Sequence, residues 1–558
     1  MAKRNPEPCF VLTLPLQCEP WQRDRLDTIF QVANDIKNKL IAYERKQCNI
    51  LTARRDYHRL QKQFSNAYAA QEELENRIKK LTKQRKEAGR KNKPEIRKQL
   101  NTVTKDKVEV ETLIDHLGAQ RTALLIDAGF SKDLFEAQIV KYRSHYKAKG
   151  RSSSLVNSHI AQKIANSVWK SFESFFYKNG KEVHFSKWSE FTAISAKSVK
   201  SGIMYRGNGI IQIHNMVLKA SIDKKDRYGY QQEALKRKVR FCSISRRWYA
   251  NGWKYFLQLT LDGKPPVKID PDTGESLHAI GCGRVGHDIG TQTLASCSEM
   301  NVQLVELADK VKPIDRQLRR INRAMDRSRR ATNPQMFNDK GTPVSIDQLP
   351  SECLTSRNTR RWKKSKRYLR LEGIRRELYR KQQELREQQH HELANKLLAF
   401  GDTHFIEEMR FRSLAKKAKE DKVNSKGKHR RKKRFGKSIS NKAPASFVTI
   451  LKHKVETLGG TFIKVETARM KASQFNHITE TYTKKNLSQR WNTMPEGKCI
   501  QRDLYSAFLI MNANDTYDQA DVSRCSETYP IFVELHDMEV ERLKHILMPT
   551  STGVKYAG

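Results

Sequence analysis

Leu60, Phe64, Ala67, Gln71, Leu74, Ile78 and Leu81 recur at alternating steps of four and three residues. After a polar break the same beat returns at Ile96, Leu100, Val103, Lys107, Val110, Ile114 and Leu117. This spacing puts all seven positions of each set on one stripe of an α-helix and fits no strand. A stripe that narrow must be covered by another helix. The break, GRKNKP at Gly89 to Pro94, combines a helix stop with a helix start. The pattern therefore predicts a long antiparallel helical hairpin. With further helices expected over 132–147 and 157–178, residues 21–180 read as one all-α lobe.

From about residue 181 the texture changes to short apolar runs. Residues 210–213, 238–244 and 253–261 have strand character, and Asn251-Gly252 is a hairpin turn signal. Phe10 to Leu14 is a further strand that can complete the set, so 1–20 and 181–268 read as a small β-barrel domain. From 278 onward, strands are expected at 284–289, 293–298, 302–307, 404–406 and 462–465, with helices over 312–330, 357–400 and 444–458. Strands first, then strand–helix alternation: this is α/β organisation in a multidomain chain. The last stretch, 514–558, holds eight acidic and four basic residues and reads as an acidic C-terminal tail.

Composition names a partner. The 558 residues include 107 Lys and Arg against 61 Asp and Glu, a net charge of +46. Such a charge repels itself unless a polyanion is at hand. Residues 312–330 carry eight basic side chains, among them Arg316, Arg319, Arg320 and Arg323. Between Lys416 and Lys437, 12 of 22 residues are basic, with Lys428, Arg430, Arg431, Lys432, Lys433 and Arg434 in one run. Arg246 and Arg247 are interleaved with Trp248, Tyr249, Trp253 and Tyr255, which either stack on RNA or fill a barrel core. All are candidate nucleic-acid contacts. There is no run of 18 apolar residues, so no membrane partner is expected. The first 20 residues lack the apolar stretch of a secretion signal, so a cytoplasmic, nucleoid-associated prokaryotic protein is expected. The nine cysteines include no CxxC pair, which argues against a zinc ribbon.

Three carboxylates stand where chemistry can use them. GHDIGTQTLASCS puts Asp288 in a short strand, followed by Gly290, whose lack of a side chain permits close approach of a backbone or phosphate. HFIEEMRF puts Glu407 at the end of a strand, and CIQRDLYSAFLIMNA puts Asp503 in the first turn of an apolar helix. Alone, each reads as an ordinary surface or helix-start acid. Together, hard oxygen ligands suit Mg²⁺, or Mn²⁺, and two such ions can drive phosphodiester hydrolysis. His287 precedes Asp288 and by strand alternation points to the opposite face, so it reads as structural.

At these residues the chain resembles the transposon-encoded TnpB nucleases and the compact type V CRISPR effectors related to them. HDIGTQTLAS (287–296), FIEEMRFRSL (405–414) and QRDLYSAFL (501–509) resemble that family's three RuvC motifs. The resemblance implies a RuvC-like RNase H fold over 278–513, a wedge-like β-barrel and a helical recognition lobe. It makes Asp288, Glu407 and Asp503 the catalytic, Mg²⁺-binding residues. It also implies a guide RNA and double-stranded target DNA as partners. Two departures stand out. Where TnpB proteins usually carry a zinc ribbon, 468–500 offers only Cys499 and His477, so no structural zinc is expected. The third motif has Tyr505-Ser506-Ala507 where the family usually shows Asn-Ala-Ala. The expected activity is RNA-guided endonucleolytic cleavage of DNA. The alternatives are an RNA-guided DNA-binding repressor with weak or no cleavage, and a DNA-strand-joining transposase.

Overall fold

From Cys9 to Leu14 successive side chains point alternately away from and into the core, and this segment opens strand β1 (Cys9–Gln17), with Phe10, Leu12 and Leu14 buried. The computed structural model describes residues 7–87, 89, 92–146, 155–178, 180, 182–250, 252–355, 359–416, 435–486 and 488–555. The chain divides into two compact units. One comprises Met1–Lys224, Ala234–Arg247 and Lys254–Gly263, and the other Lys225–Glu233, Trp248–Trp253 and Lys264–Gly558.

In the first unit, Pro20 opens α1 (Pro20–Thr52) behind a capping box of Glu19 and Gln22. The two heptad-like stripes lie on α2 (Arg55–Glu87) and α3 (Lys93–Asp127). Arg121 sits over the Phe64 ring at 4.3 Å, Gln71 bonds Glu111 and Lys107 meets Glu75 at 3.1 Å. Numbers rise on one helix as they fall on the other, which is the antiparallel pairing. Leu60, Phe64, Ala67 and Leu117 form its dry seam. Then α4 (Lys132–Ser144) and α5 (Ser158–Tyr177), capped by Ser131 and Asn157, pack Phe135, Phe172 and Phe176 around Phe130.

The first unit's sheet also contains β2 (Ala193–Ser195), β3 (Ile203–Gly207), β4 (Ile210–Ile213) and β5 (Met216–Ala220). After α6 (Tyr230–Leu235), β6 (Val239–Tyr249) and β7 (Gly252–Asp262) complete it. The strand order is β2-β6-β7-β1-β5-β4-β3, with β1 pairing β7 along Cys9 to Pro15 and β5 at Leu16 and Gln17. Cys242 Sγ on β6 reaches the Ile203 carbonyl of edge strand β3 at 2.8 Å, so the sheet curls back on itself. Asn251 of the expected turn lies outside the described residues.

The second unit is built on β8 (Arg284–Ile289), β9 (Thr293–Ser298) and β10 (Val302–Glu306). Helices α7 (Asp315–Thr332) and α8 (Lys366–Leu398) lead to β11 (Thr403–Glu407). Short α9 (Phe411–Leu414) and α10 (Gly436–Lys442) precede α11 (Pro444–Thr457) and β12 (Thr461–Val465). The sheet order is β10-β9-β8-β11-β12; β8 to β10 are antiparallel neighbours, whereas β11 runs parallel to β8 and β12. After α12 (Thr467–Met470) come two small hairpins. These are β13 (Phe475–Asn476) with β14 (Thr481–Tyr482), and β15 (Trp491–Thr493) with β16 (Cys499–Gln501). Helices α13 (Arg502–Met511) and α14 (Val522–Lys544) follow.

Apolar cores lie on both faces of this sheet. On one, Ile289 and Ile406 meet Leu397 of α8 and Phe447 and Leu451 of α11. On the other, Phe405 meets Phe508 and Ala507 of α13 and Phe532 of α14. The expectation of a separate acidic tail over 514–558 is therefore corrected. α14 buries Cys525, Phe532 and Leu543 in the core, and Glu539 accepts the Leu304 N–H of edge strand β10 at 2.7 Å. Its net negative composition misled because the acids face basic neighbours: Asp537 pairs Lys498 and Asp518 pairs Arg469. Among the described residues, no helix is long and apolar enough to cross a membrane.

Candidate active site

Each of the three carboxylates is placed by a local rule. β8 alternates, with His287 on one face and Gly286 and Asp288 on the other. On the Asp288 face α13 lies so close that a Cβ on Gly286 would stand 2.1 Å from the Ala507 carbonyl oxygen. The close approach is thus at Gly286; at Gly290, where it was expected, the nearest atom to a Cβ would be Thr293 Oγ1 at 3.3 Å. On β11, Ile406 is in register with His287, so Glu407 is the next step beside Asp288. Asp503 is the second residue of α13, in the turn where a negative charge meets the helix's positive end.

α13 is gripped at both ends. Gln501 caps its start by accepting Leu504 N–H at 2.8 Å. Arg284 of β8 donates to the carbonyls of Met511 at 2.8 Å and Ala513 at 2.5 Å at its other end. A guanidinium on orphan C-terminal carbonyls is stabilised by the helix dipole as well as by the bonds.

Asp288, Glu407 and Asp503 line one cavity of about 360 Å³, together with Arg490, Arg502, Ser506 and Ser551. Burial, then the neighbouring Asp503 and Glu407 charges, hold the Asp288 carboxyl well above the carboxylate range, with Arg502 and the Ser506 hydroxyl pulling the other way. Burial pushes Glu407 up to about 7. Arg502 lies 3.4 Å from Asp503 Oδ1 through two of its nitrogens and donates to the Gln489 carbonyl at 3.0 Å. The set is one of hard oxygen donors whose mutual repulsion a divalent cation would relieve. Among the described residues, no three His, Cys, Asp or Glu side chains already form a cage for a metal ion.

The raised carboxyls have a consequence for stability. Between the ordinary carboxylate range and about pH 7, the folded protein holds protons that the unfolded chain has released. In chelator, the second unit should lose stability as pH rises through that window. Melting curves should show Mg²⁺ raising Tm more at about pH 7.5 than at about pH 5; an equal effect at both would contradict the assignment.

His287 is fully buried, with Nδ1 2.9 Å from Ser296 Oγ and Nε2 2.9 Å from His404 Nδ1. Burial drives His404 down to about 4 and His287 well below its usual value, so this is a neutral structural pair on the face away from Asp288.

The basic candidates divide. Arg316, Arg319, Arg320 and Arg323 are exposed on α7 while Met325 is buried beneath. Steps of four and three from Arg316 through Arg320, Arg323, Arg327 and Arg330 make one stripe. Replacing Arg316, Arg320 and Arg323 by Ala should lower the log–log salt slope of nucleic-acid binding by about two to three, since each phosphate contributes roughly 0.7–0.9. An unchanged slope would remove this face from the interface. Lys428, Arg430, Arg431, Lys432, Lys433 and Arg434 lie outside the described residues.

Arg246 is corrected: it is 1% exposed, over the Trp188 ring at 3.7 Å, and donates to the Phe191 and Trp188 carbonyls and to Asp27. A guanidinium so enclosed has no face left for phosphate. Arg247 is exposed, over Phe256 at 5.1 Å. Tyr255 is buried and donates to Asp27 at 2.6 Å. Trp248 and Tyr249 pack on α8, where Arg376 and Arg380 cover them and Gly373 lets the Trp248 ring approach.

Sequence reading missed Arg490, Arg502 and Ser506 as cavity residues. The signals were present: an Arg precedes the third acid, and a Ser stands where Ala was expected.

Fold and cavity define a mixed α/β protein whose second unit gathers three acids and two arginines around one opening. No family model matches the chain, and no curated protein matches it. Among solved structures, a chain of "Cryo-EM structure of CRISPR-Cas12f Ternary Complex" aligns with it at 12% identity, over 90% of this chain and 99% of that one, with a TM-score of 0.20. That score is too low to establish a shared fold.

Proposed function

We propose that the chain is an RNA-guided DNA endonuclease whose second unit is a RuvC-like nuclease domain. The observation that carries this reading is that Asp288, Glu407 and Asp503, from two adjacent parallel strands and one helix start, line the same cavity. A five-stranded mixed sheet with acids at the ends of its central strands supports an RNase H-type arrangement. The donor chemistry fits Mg²⁺ or Mn²⁺, held by the three carboxylates. Bound there, divalent ions supply an activated water and stabilise the leaving 3′-oxygen. Of the chain's own groups, Arg490 and Arg502 line the cavity as cations suited to a phosphate, and Arg502, 3.4 Å from Asp503, orients that carboxylate. Ser506, whose hydroxyl donates to the Arg502 carbonyl at 3.0 Å, lines the cavity beside Asp288. Hydrolysis in this geometry leaves a 5′-phosphate and a 3′-hydroxyl.

The net charge of +46 and the α7 stripe support a guide and target carried by their backbones. The test is to express the protein with its native flanking DNA and sequence the RNA that co-purifies. A defined RNA, and Mg²⁺-dependent cutting of matching DNA only when it is bound, is expected. Cutting without RNA, or no RNA retained, would overturn the guided reading.

A further inference from the structure

Asp503 sits in the first turn of α13, so whatever fixes that turn fixes where the third carboxylate stands. The turn hangs on Gln501, two residues earlier. Gln501 Oε1 accepts Leu504 N–H at 2.8 Å, its Nε2 donates to the Thr552 carbonyl at 3.0 Å, and its backbone N–H donates to His536 Nε2 at 2.9 Å. Gln501 and Thr552 have no exposed surface and His536 is 1% exposed, so none of these bonds competes with water. His536 Nδ1 lies 3.0 Å from Asp537 Oδ1, which places the ring proton on Nδ1 and leaves the Nε2 lone pair for Gln501. Asp537 is itself held by Lys498, at 2.5 Å, next to β16. Nearby, Trp491 Nε1 donates to the Gly553 carbonyl at 3.0 Å, and Ser551 reaches the cavity wall.

α14 needs none of this to stay attached, since Cys525, Phe532 and Leu543 already bury it. Instead its polar contacts converge on the residue that caps the helix of Asp503. We infer that residues 536–553 form a positioning clamp for the third carboxylate, in which His536 and the Thr552 carbonyl act through Gln501. This rests on the nuclease reading above. The C-terminal segment is then part of the metal-binding apparatus at second hand.

His536→Phe keeps the ring and removes the acceptor, whereas His536→Gln offers an amide oxygen near the place of Nε2. A chain ending at Met548 loses the Thr552 carbonyl but keeps His536. Two readouts are taken on the full protein: Mn²⁺ binding followed by electron paramagnetic resonance without nucleic acid, and the Mg²⁺ dependence of guided cleavage. His536→Phe and the shortened chain should each bind Mn²⁺ about tenfold more weakly, as loss of an outer-shell partner does. The half-saturating Mg²⁺ should rise by the same factor, with guide-dependent target binding unchanged. His536→Gln should restore affinity to within about twofold.

Wild-type Mn²⁺ affinity in folded His536→Phe, or no difference between Phe and Gln, would overturn the clamp. If His536→Phe does not fold, the shortened chain decides by the same criterion. The underlying reading fails separately, if Asp288→Ala changes neither Mn²⁺ binding nor cleavage.

Discussion

Asp288→Ala should abolish guided cleavage while leaving guide-dependent target binding within about twofold of wild type. A bound divalent ion supplies several kcal/mol of transition-state stabilisation, so losing its central ligand should cost on the order of a thousand-fold in rate. Misfolding would be a trivial cause of the same loss, and the electrostatics distinguish the two. Asp288 is a buried acid with Asp503 and Glu407 charges against it. Its removal relieves repulsion in the metal-free protein, so the variant should melt at or above the wild-type temperature near neutral pH. An inactive variant that melts well below wild type would point to structure instead. Full cutting by Asp288→Ala would sink the assignment outright.

Gly286→Ala should be the most damaging single methyl in the second unit. The added Cβ would lie 2.1 Å from the Ala507 carbonyl oxygen and 2.3 Å from the Met511 nitrogen, both backbone atoms of α13 that cannot rotate aside. Either the helix lifts or the strand bends. Overpacking of this kind costs about 3 kcal/mol at the severe end, which for a unit of this size is a fall in Tm of roughly 5 °C. Lifting α13 also moves Asp503, so divalent-ion affinity should fall together with stability. Gly290→Ala is the control, because its nearest neighbour is a side-chain hydroxyl at 3.3 Å. Similar melting of the two variants would show that the sheet and helix pack less closely than described.

Much of the local structure was legible in the residues alone. The stripe from Leu60 to Leu81 became α2, the runs at 284–289 and 293–298 became β8 and β9, and Pro444 opened α11. These features rest on period, caps and breakers, which act within a few residues. Placement of Asp288 and Glu407 near strand ends and Asp503 at a helix start was equally local. The α7 stripe could be read because its arginines stay exposed among the described residues.

The misreadings share one cause. Arg246 looked like a phosphate contact because its neighbours are basic and aromatic, yet Asp27, 219 positions away, and the Trp188 ring enclose it. The acidic residues of 514–558 looked like a tail because their basic partners and the β10 edge lie far off in sequence; Glu539 meets Leu304 across 235 positions. Gly290 drew notice for standing beside an acid, while the glycine with a helix against it was Gly286.

The sequence by itself determined the helical and strand periods, the excess of positive charge and the three acids with their local settings. Each depends only on backbone repeat and composition, quantities that a short window of chain carries. Only the tertiary structure decided that those acids line one cavity, that Arg490 and Arg502 stand beside them, and that His536 and Thr552 grip the helix start that carries Asp503. Burial and pairing depend on which surfaces meet, and that is settled by how two faces of one sheet are covered, not by any neighbour in the chain.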